Sequence, residues 1–116
     1  MNIHTIQPGK NIINEGDTGR SVFILTRGSV KVFSTIMGKT MELATLQASD
    51  FFGEIAFLTG KPRTATVKTV EESDVLEVAE NDLNEMISKS PRIREVLHNY
   101  HEQRVKSTLE KVKYTL

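Results

Sequence analysis

The sequence predicts a mainly β fold, an antiparallel sandwich or jelly roll, closed by helices at its C-terminal end. Three observations predict it. All seven glycines lie at or before Gly60 and the rest of the chain holds none, so a turn-rich part precedes a turn-poor one. The early part consists of short runs of β-branched and apolar residues separated by turn chemistry, at a spacing typical of all-β folds. From Asn81 onward the apolar residues recur with the period of a helix instead.

The elements follow in order. "IHTI" is a first strand, ended by Pro8-Gly9; "NII" is a second, ended by Glu15-Gly16-Asp17; "SVFILT" is a third, ended by Arg27-Gly28. "SVKVFST" alternates, with Val30 and Val32 set against Lys31 and Phe33, and Met37-Gly38 turns the chain into "TMELATL". After the segment around Gly53, "TATVKTV" and "DVLEV" alternate again, for about eight strands in all. "NDLNEMISKS" opens on Asn81 as a candidate N-cap and sets Leu83, Met86 and Ile87 on one helical face. Ser90-Pro91 then reads as a fresh N-cap with proline at the first helical position. Ile93, Val96, Leu97 and Tyr100 carry that helix's stripe, which thins to Val105, Leu109 and Val112 among charges. The expectation is one domain over residues 1–116, with a barrel at about 3–79 and helices at about 82–113.

Composition narrows the function. A chain of 116 residues, 38% apolar and 26% charged, buries one core of ordinary size. Fifteen basic and fifteen acidic residues cancel, which removes a whole-molecule attraction to nucleic acid or to an anionic membrane. Without cysteine there is no disulfide framework and no thiolate metal site, and a cytoplasmic location is expected. No apolar run reaches the roughly 18 residues that span a bilayer.

The segment "FFGEIAFLTGKPRTATV" carries the chemistry, because it sets a carboxylate, Glu54, and an arginine, Arg63, in an apolar run. Enzyme chemistry is poorly served: the three histidines, His4, His98 and His101, stand far away in sequence, and a cupin-like metal enzyme needs more imidazole ligands than the strands hold. Anion binding is better served. Gly53 followed by a short helical turn aims free backbone N–H groups at one place, and Arg63, at the start of the next strand, adds a planar fork of donors suited to a phosphodiester. Glu54 accepts only, so beside an anion it serves a ligand that also carries hydroxyls, as a ribose does. The alternative is a plain buried ion pair between Glu54 and Arg63.

These residues resemble a known family. "FGEIAFLTGKPRTATV" resembles the phosphate-binding cassette of cyclic nucleotide-binding domains of the catabolite-activator and channel type, and "GDTGRSVFILTRGSVKVF" resembles that family's third and fourth strands. The resemblance runs from about Ile6 into the last helix and covers most of the chain. It implies an eight-stranded antiparallel jelly-roll barrel (a double-stranded β-helix) with a short phosphate-cassette helix and two C-terminal helices, regulatory and not catalytic, without a cofactor. The ligand implied is a cyclic purine nucleotide, cyclic AMP first and cyclic GMP as the other choice. Gly53, Ile55 and Ala56 are implied as backbone donors, Glu54 as acceptor of the ribose 2′-hydroxyl, and Arg63 as partner of the cyclic phosphate. Thr64 is a further contact that leaves the purine open, and Val32 and Leu43 pack against the base. The last helix is implied to be a lid over the base, with Arg104 above the purine and Leu97, Tyr100 and His101 as the alternative lid residues. Six basic and three acidic residues follow Pro91, so this helix also suits a homodimer or a downstream effector. The alternative within the family is a ligand-free module for protein contacts. Relative to the family's usual plan, the sequence starts almost on the first strand and stops after the lid helix, as a free-standing sensor or a piece of a larger protein.

Overall fold

A computed structural model describes the backbone of residues 1–115 and the side chains of residues 1–110. Eight strands are found: β1 (Asn2–Ile6), β2 (Asn11–Ile13), β3 (Val22–Arg27), β4 (Val30–Ile36), β5 (Lys39–Leu46), β6 (Phe51–Phe52), β7 (Thr66–Thr69) and β8 (Ser73–Val78). Helix α1 (Glu54–Thr59) interrupts them after β6, and α2 (Glu80–Lys89) and α3 (Arg92–Thr115) follow. The strands form two antiparallel four-stranded sheets, ordered β1-β8-β3-β6 and β2-β7-β4-β5.

Alternation along the strands decides what each face buries. Phe23, Leu25, Phe52 and Val75 of the first sheet meet Ile13, Val30, Leu46 and Val67 of the second in one core. Phe23 and Phe52 stack with ring centroids 5.2 Å apart. Val22 and Val78 belong to a second cluster with Leu83 of α2 and Leu97 of α3, so the first sheet is apolar on both faces and carries the helices. The β4–β5 hairpin closes through Met37 and Gly38, both at positive φ (53° and 78°), the backbone that a two-residue hairpin turn requires.

Three expectations are corrected. Helix α2 starts at Glu80 with Ala79 as its cap, so Asn81 lies inside the first turn and caps nothing. Ser90 acts through its backbone: its N–H returns to Met86 O and its O accepts from the Ile93 N–H, joining the end of α2 to the start of α3. Val96 is 54% exposed; the face of α3 turned to the protein runs through Ile93, Leu97 and Tyr100. The Val112 side chain, expected on the same stripe, lies outside the described residues.

Candidate functional site

The site is built where β6 turns into α1. Gly53 caps the helix at φ 86°, in the left-handed region. Two constraints demand glycine there. The positive φ disfavours any side chain, and a Cβ would lie 2.8 Å from Ser21 O and 2.9 Å from Arg63 Nη1. At its other end α1 stops on Gly60, φ 70°, whose N–H bonds Ala56 O, while Arg20 Nη2 donates to Gly60 O at 3.1 Å. The six-residue helix is thus fixed at both ends by its neighbours.

Arg63 stands three residues before β7 and not on it, which corrects the expectation that it opens the strand. Its backbone is tied to the loop after β2: its N–H donates to Asp17 O and its O accepts from the Gly16 N–H. The side chain is buried, 7% exposed, and donates from Nη1 to Gly53 O at 2.9 Å and from Nη2 to Ser21 O at 3.0 Å. Among the described residues no carboxylate forms an ion pair with it. Burial pushes the Arg63 guanidinium below its ordinary range, and the acidic groups of Asp17, Glu77 and Glu54 offset this only in part. A guanidinium with five N–H donors, two of them spent on carbonyls, is left facing a cavity without a counter-charge in contact.

Glu54 is 1% exposed, and its partner is not Arg63. The plain Glu54–Arg63 ion pair, left open by the sequence, does not form. Instead Arg104 of α3 reaches back and donates from Nη1 to both carboxylate oxygens, at 2.9 and 3.0 Å, and from Nη2 to Phe51 O. Its guanidinium carbon lies 4.7 Å from the centroid of the Tyr100 ring, which packs on Phe51 at 4.1 Å. The Tyr100 hydroxyl donates to Asp50 Oδ1 at 2.7 Å, and that bond raises the phenol above its ordinary pKa. Helix α3 is therefore fastened to β6 and α1 by an arginine and a tyrosine one turn apart.

Between the second sheet, α1 and α3 lies a cavity of about 340 Å³. That is within the range of about 300–1,000 Å³ typical of small-molecule sites. Gly53, Glu54, Ile55, Ala56, Arg63, Thr64, Val32, Leu43 and Arg104, the residues singled out in the sequence, all line it. Of the other residues implied for the lid, His101 lines it too, its Nδ1 buried and, among the described residues, without a hydrogen-bond partner, whereas Leu97 packs in the second core and Tyr100 on Phe51. Sequence reasoning missed Ser34, whose hydroxyl donates to Thr64 O at 2.7 Å, and Ser107 and Thr108, which line the wall one turn beyond Arg104. Helical spacing from Arg104 was the available signal for the last two. The supporting carbonyls of Ser21, Gly53 and Phe51 had none, since every residue owns a carbonyl.

Among the described residues no group of three or more His, Asp or Glu is placed to hold a metal ion, and no helix is long and apolar enough to cross a membrane. The cavity is apolar along Val32, Leu43 and Val67 and charged at one end, with a buried cation and a buried, already bridged, anion.

Comparison with known proteins agrees with that chemistry. Residues 3–90 match the family model of the cyclic nucleotide-binding domain. A cyclic nucleotide-gated cation channel protein of Drosophila melanogaster is 36% identical over 103 residues, covering 84% of this chain and 15% of the channel. The regulatory domain of Toxoplasma gondii PKA, solved with cAMP, is 30% identical with a TM-score of 0.68, covering 72% of this chain and 32% of that one. The catabolite activator protein of Thermus thermophilus has the same fold, at a TM-score of 0.86 and 24% identity over 98% of this chain and 54% of that one. The chain spans a small part of such curated relatives' length. A match that spans most of its residues, 3–90 of 116, leaves one conclusion: the chain belongs to the cyclic nucleotide-binding domain family.

Proposed function

We propose that the chain is a sensor of a cyclic purine nucleotide, cyclic AMP in preference to cyclic GMP, that converts occupancy into movement of α3. The observation that carries this is the buried guanidinium of Arg63, unpaired by any carboxylate among the described residues and lining the same cavity as the buried carboxylate of Glu54. A cyclic nucleotide matches both groups. Its phosphodiester takes the free donors of Arg63 together with N–H groups of Ile55 and Ala56, and its ribose 2′-hydroxyl donates to Glu54. The base lies along Val32 and Leu43, with Thr64 at the phosphate end.

Arg104 supplies the coupling. It holds the carboxylate that the ribose needs, so a bound nucleotide draws it from Glu54 toward the purine, and α3 shifts with it. A ligand moves such an equilibrium only by binding one state better than the other, and the exchange of partners at Glu54 provides that difference. The architecture is taken as a jelly roll acting as one regulatory domain in the cytoplasm, with no reaction of its own. Its output passes through α3 to a second copy or to a downstream effector.

Titration calorimetry with cyclic AMP and cyclic GMP tests the reading. Arg63→Ala is expected to cost about 2–5 kcal/mol of affinity, as when one partner of a desolvated charge pair is removed. Equal affinity in that variant, or no heat and no rise in melting temperature with either nucleotide on the unsubstituted chain, sinks it in favour of a ligand-free interaction module.

A further inference from the structure

Among the described residues two acceptors orient the guanidinium of Arg63, and one of them, Ser21 O, belongs to a residue just outside β3. What holds Ser21 therefore aims Arg63. Its hydroxyl donates to Glu77 Oε2 at 2.7 Å. Glu77 sits on β8 opposite Phe23 of β3 and shares by alternation the strand face of Val75, which points into the core. Its other oxygen, Oε1, lies 2.9 Å from His4 Nε2 on β1. The chain of contacts runs from the edge strand inward: His4, Glu77, Ser21, Arg63.

We infer that Glu77 is a positioning residue for the anion-binding guanidinium, acting through the Ser21 hydroxyl and carbonyl. It touches no ligand. The packing around Ser21 O leaves little slack, because a single added carbon at Gly53 would come within 2.8 Å of that oxygen and 2.9 Å of Arg63 Nη1. A turn of Ser21 that moves the carbonyl thus moves the fork. Glu77 suits the task because its carboxylate stays ionised, held below the ordinary range chiefly by the Ser21 hydroxyl and also by His4. It also places negative charge near Arg63 without a contact ion pair, so it favours the cation without occupying the donors that an anion needs. A carboxylate bonded directly to Arg63 would compete with the ligand; one set behind a serine does not.

The inference rests on Arg63 as the anion site. Two measurements on the full chain test it: affinity for cyclic AMP by calorimetry, and the guanidinium Nη signals of Arg63 in nitrogen-15-labelled, ligand-free protein. Ser21→Ala and Glu77→Leu are each expected to weaken binding about tenfold, the worth of one well-made hydrogen bond. In both variants the distinct Nη signals of Arg63 merge as the shifted Ser21 carbonyl no longer fixes the fork. Ser21→Thr and Glu77→Gln, which keep a hydroxyl and an acceptor, recover most of the affinity and keep the signals apart, and they carry the test if Glu77→Leu does not fold. Affinities unchanged within twofold, or weakened binding with unaltered Arg63 signals, overturn the positioning role. If the unsubstituted chain binds no cyclic nucleotide, the underlying reading of Arg63 falls, and this inference with it.

Discussion

Replacing Arg104 by alanine in ligand-free protein isolates the contact that fastens α3 to the site. Glu54 is 1% exposed, while the Arg104 side chain keeps 24% of its surface in water. Removing one partner of a fully buried pair costs about 3–5 kcal/mol, mostly for the stranded charge. Here one nitrogen serves both carboxylate oxygens and the arginine is partly wet, which places the cost at the lower end, about 3 kcal/mol. Loss of the guanidinium over Tyr100 adds about 0.5–1 kcal/mol. Glu54→Gln keeps the shape and loses the charge, so it costs less, about 1–2 kcal/mol. The double variant strands no charge. Urea unfolding of all four proteins at neutral pH is therefore expected to give a coupling energy of about 1–3 kcal/mol. Costs below about 0.5 kcal/mol for Arg104→Ala, additive with Glu54→Gln, would refute the argument and leave Arg104 a solvated helix arginine.

Other consequences are independent of that pair. Gly53→Ala is expected to lower the melting temperature and abolish nucleotide binding, whereas Gly9→Ala, also at positive φ but with open space around it, pays only backbone strain of about 1–3 kcal/mol; equal effects would exclude a steric role for Gly53. A 2′-deoxy cyclic nucleotide is expected to bind about 1.5–3 kcal/mol more weakly in competition titrations, the worth of a hydrogen bond to a charged acceptor, and equal affinity would remove Glu54 from ribose recognition. Arg27 holds Glu72 and Asp74 below the ordinary carboxylate range through bonds of 2.7 and 2.8 Å. Because their folded pKa values are depressed, their contribution is present above the unfolded values, near 4, and is lost as the pH falls through the folded ones. Urea midpoints between pH 5 and about 2 are expected to fall less steeply in Arg27→Met than in the unsubstituted chain.

The strands were legible because their punctuation is local chemistry: Pro8-Gly9, Gly16, Gly28 and Met37-Gly38 each mark a turn that the structure contains. Strand β6 was not, since two residues between Asp50 and Gly53 carry no period. Its existence depends on pairing with Phe23 and Ile24, a partner 27 residues or more upstream. Residue types likewise disclosed Glu54 and Arg63 but not their partners. Which carboxylate meets which arginine is settled by the rotation of α3 about its axis, and the same rotation exposes Val96 against expectation. Backbone acceptors are a further blind spot, and among the described residues the Arg63 guanidinium donates to nothing else.

That difference in support separates two properties of the site. Arg63 is held by Gly53, at the junction of β6 and α1, and by Ser21, just before β3, and by no described residue of α3. Glu54 is bridged to α3 directly. In the proposed mechanism the phosphate end therefore sets affinity on a frame that need not move, while the ribose end is where the ligand and the helix contend for one carboxylate. Perturbing Arg63 weakens binding and leaves the resting position of α3 as it was. Perturbing Glu54 changes both the binding and the fastening of the helix, so the carboxylate, more than the arginine, is the place where recognition becomes movement.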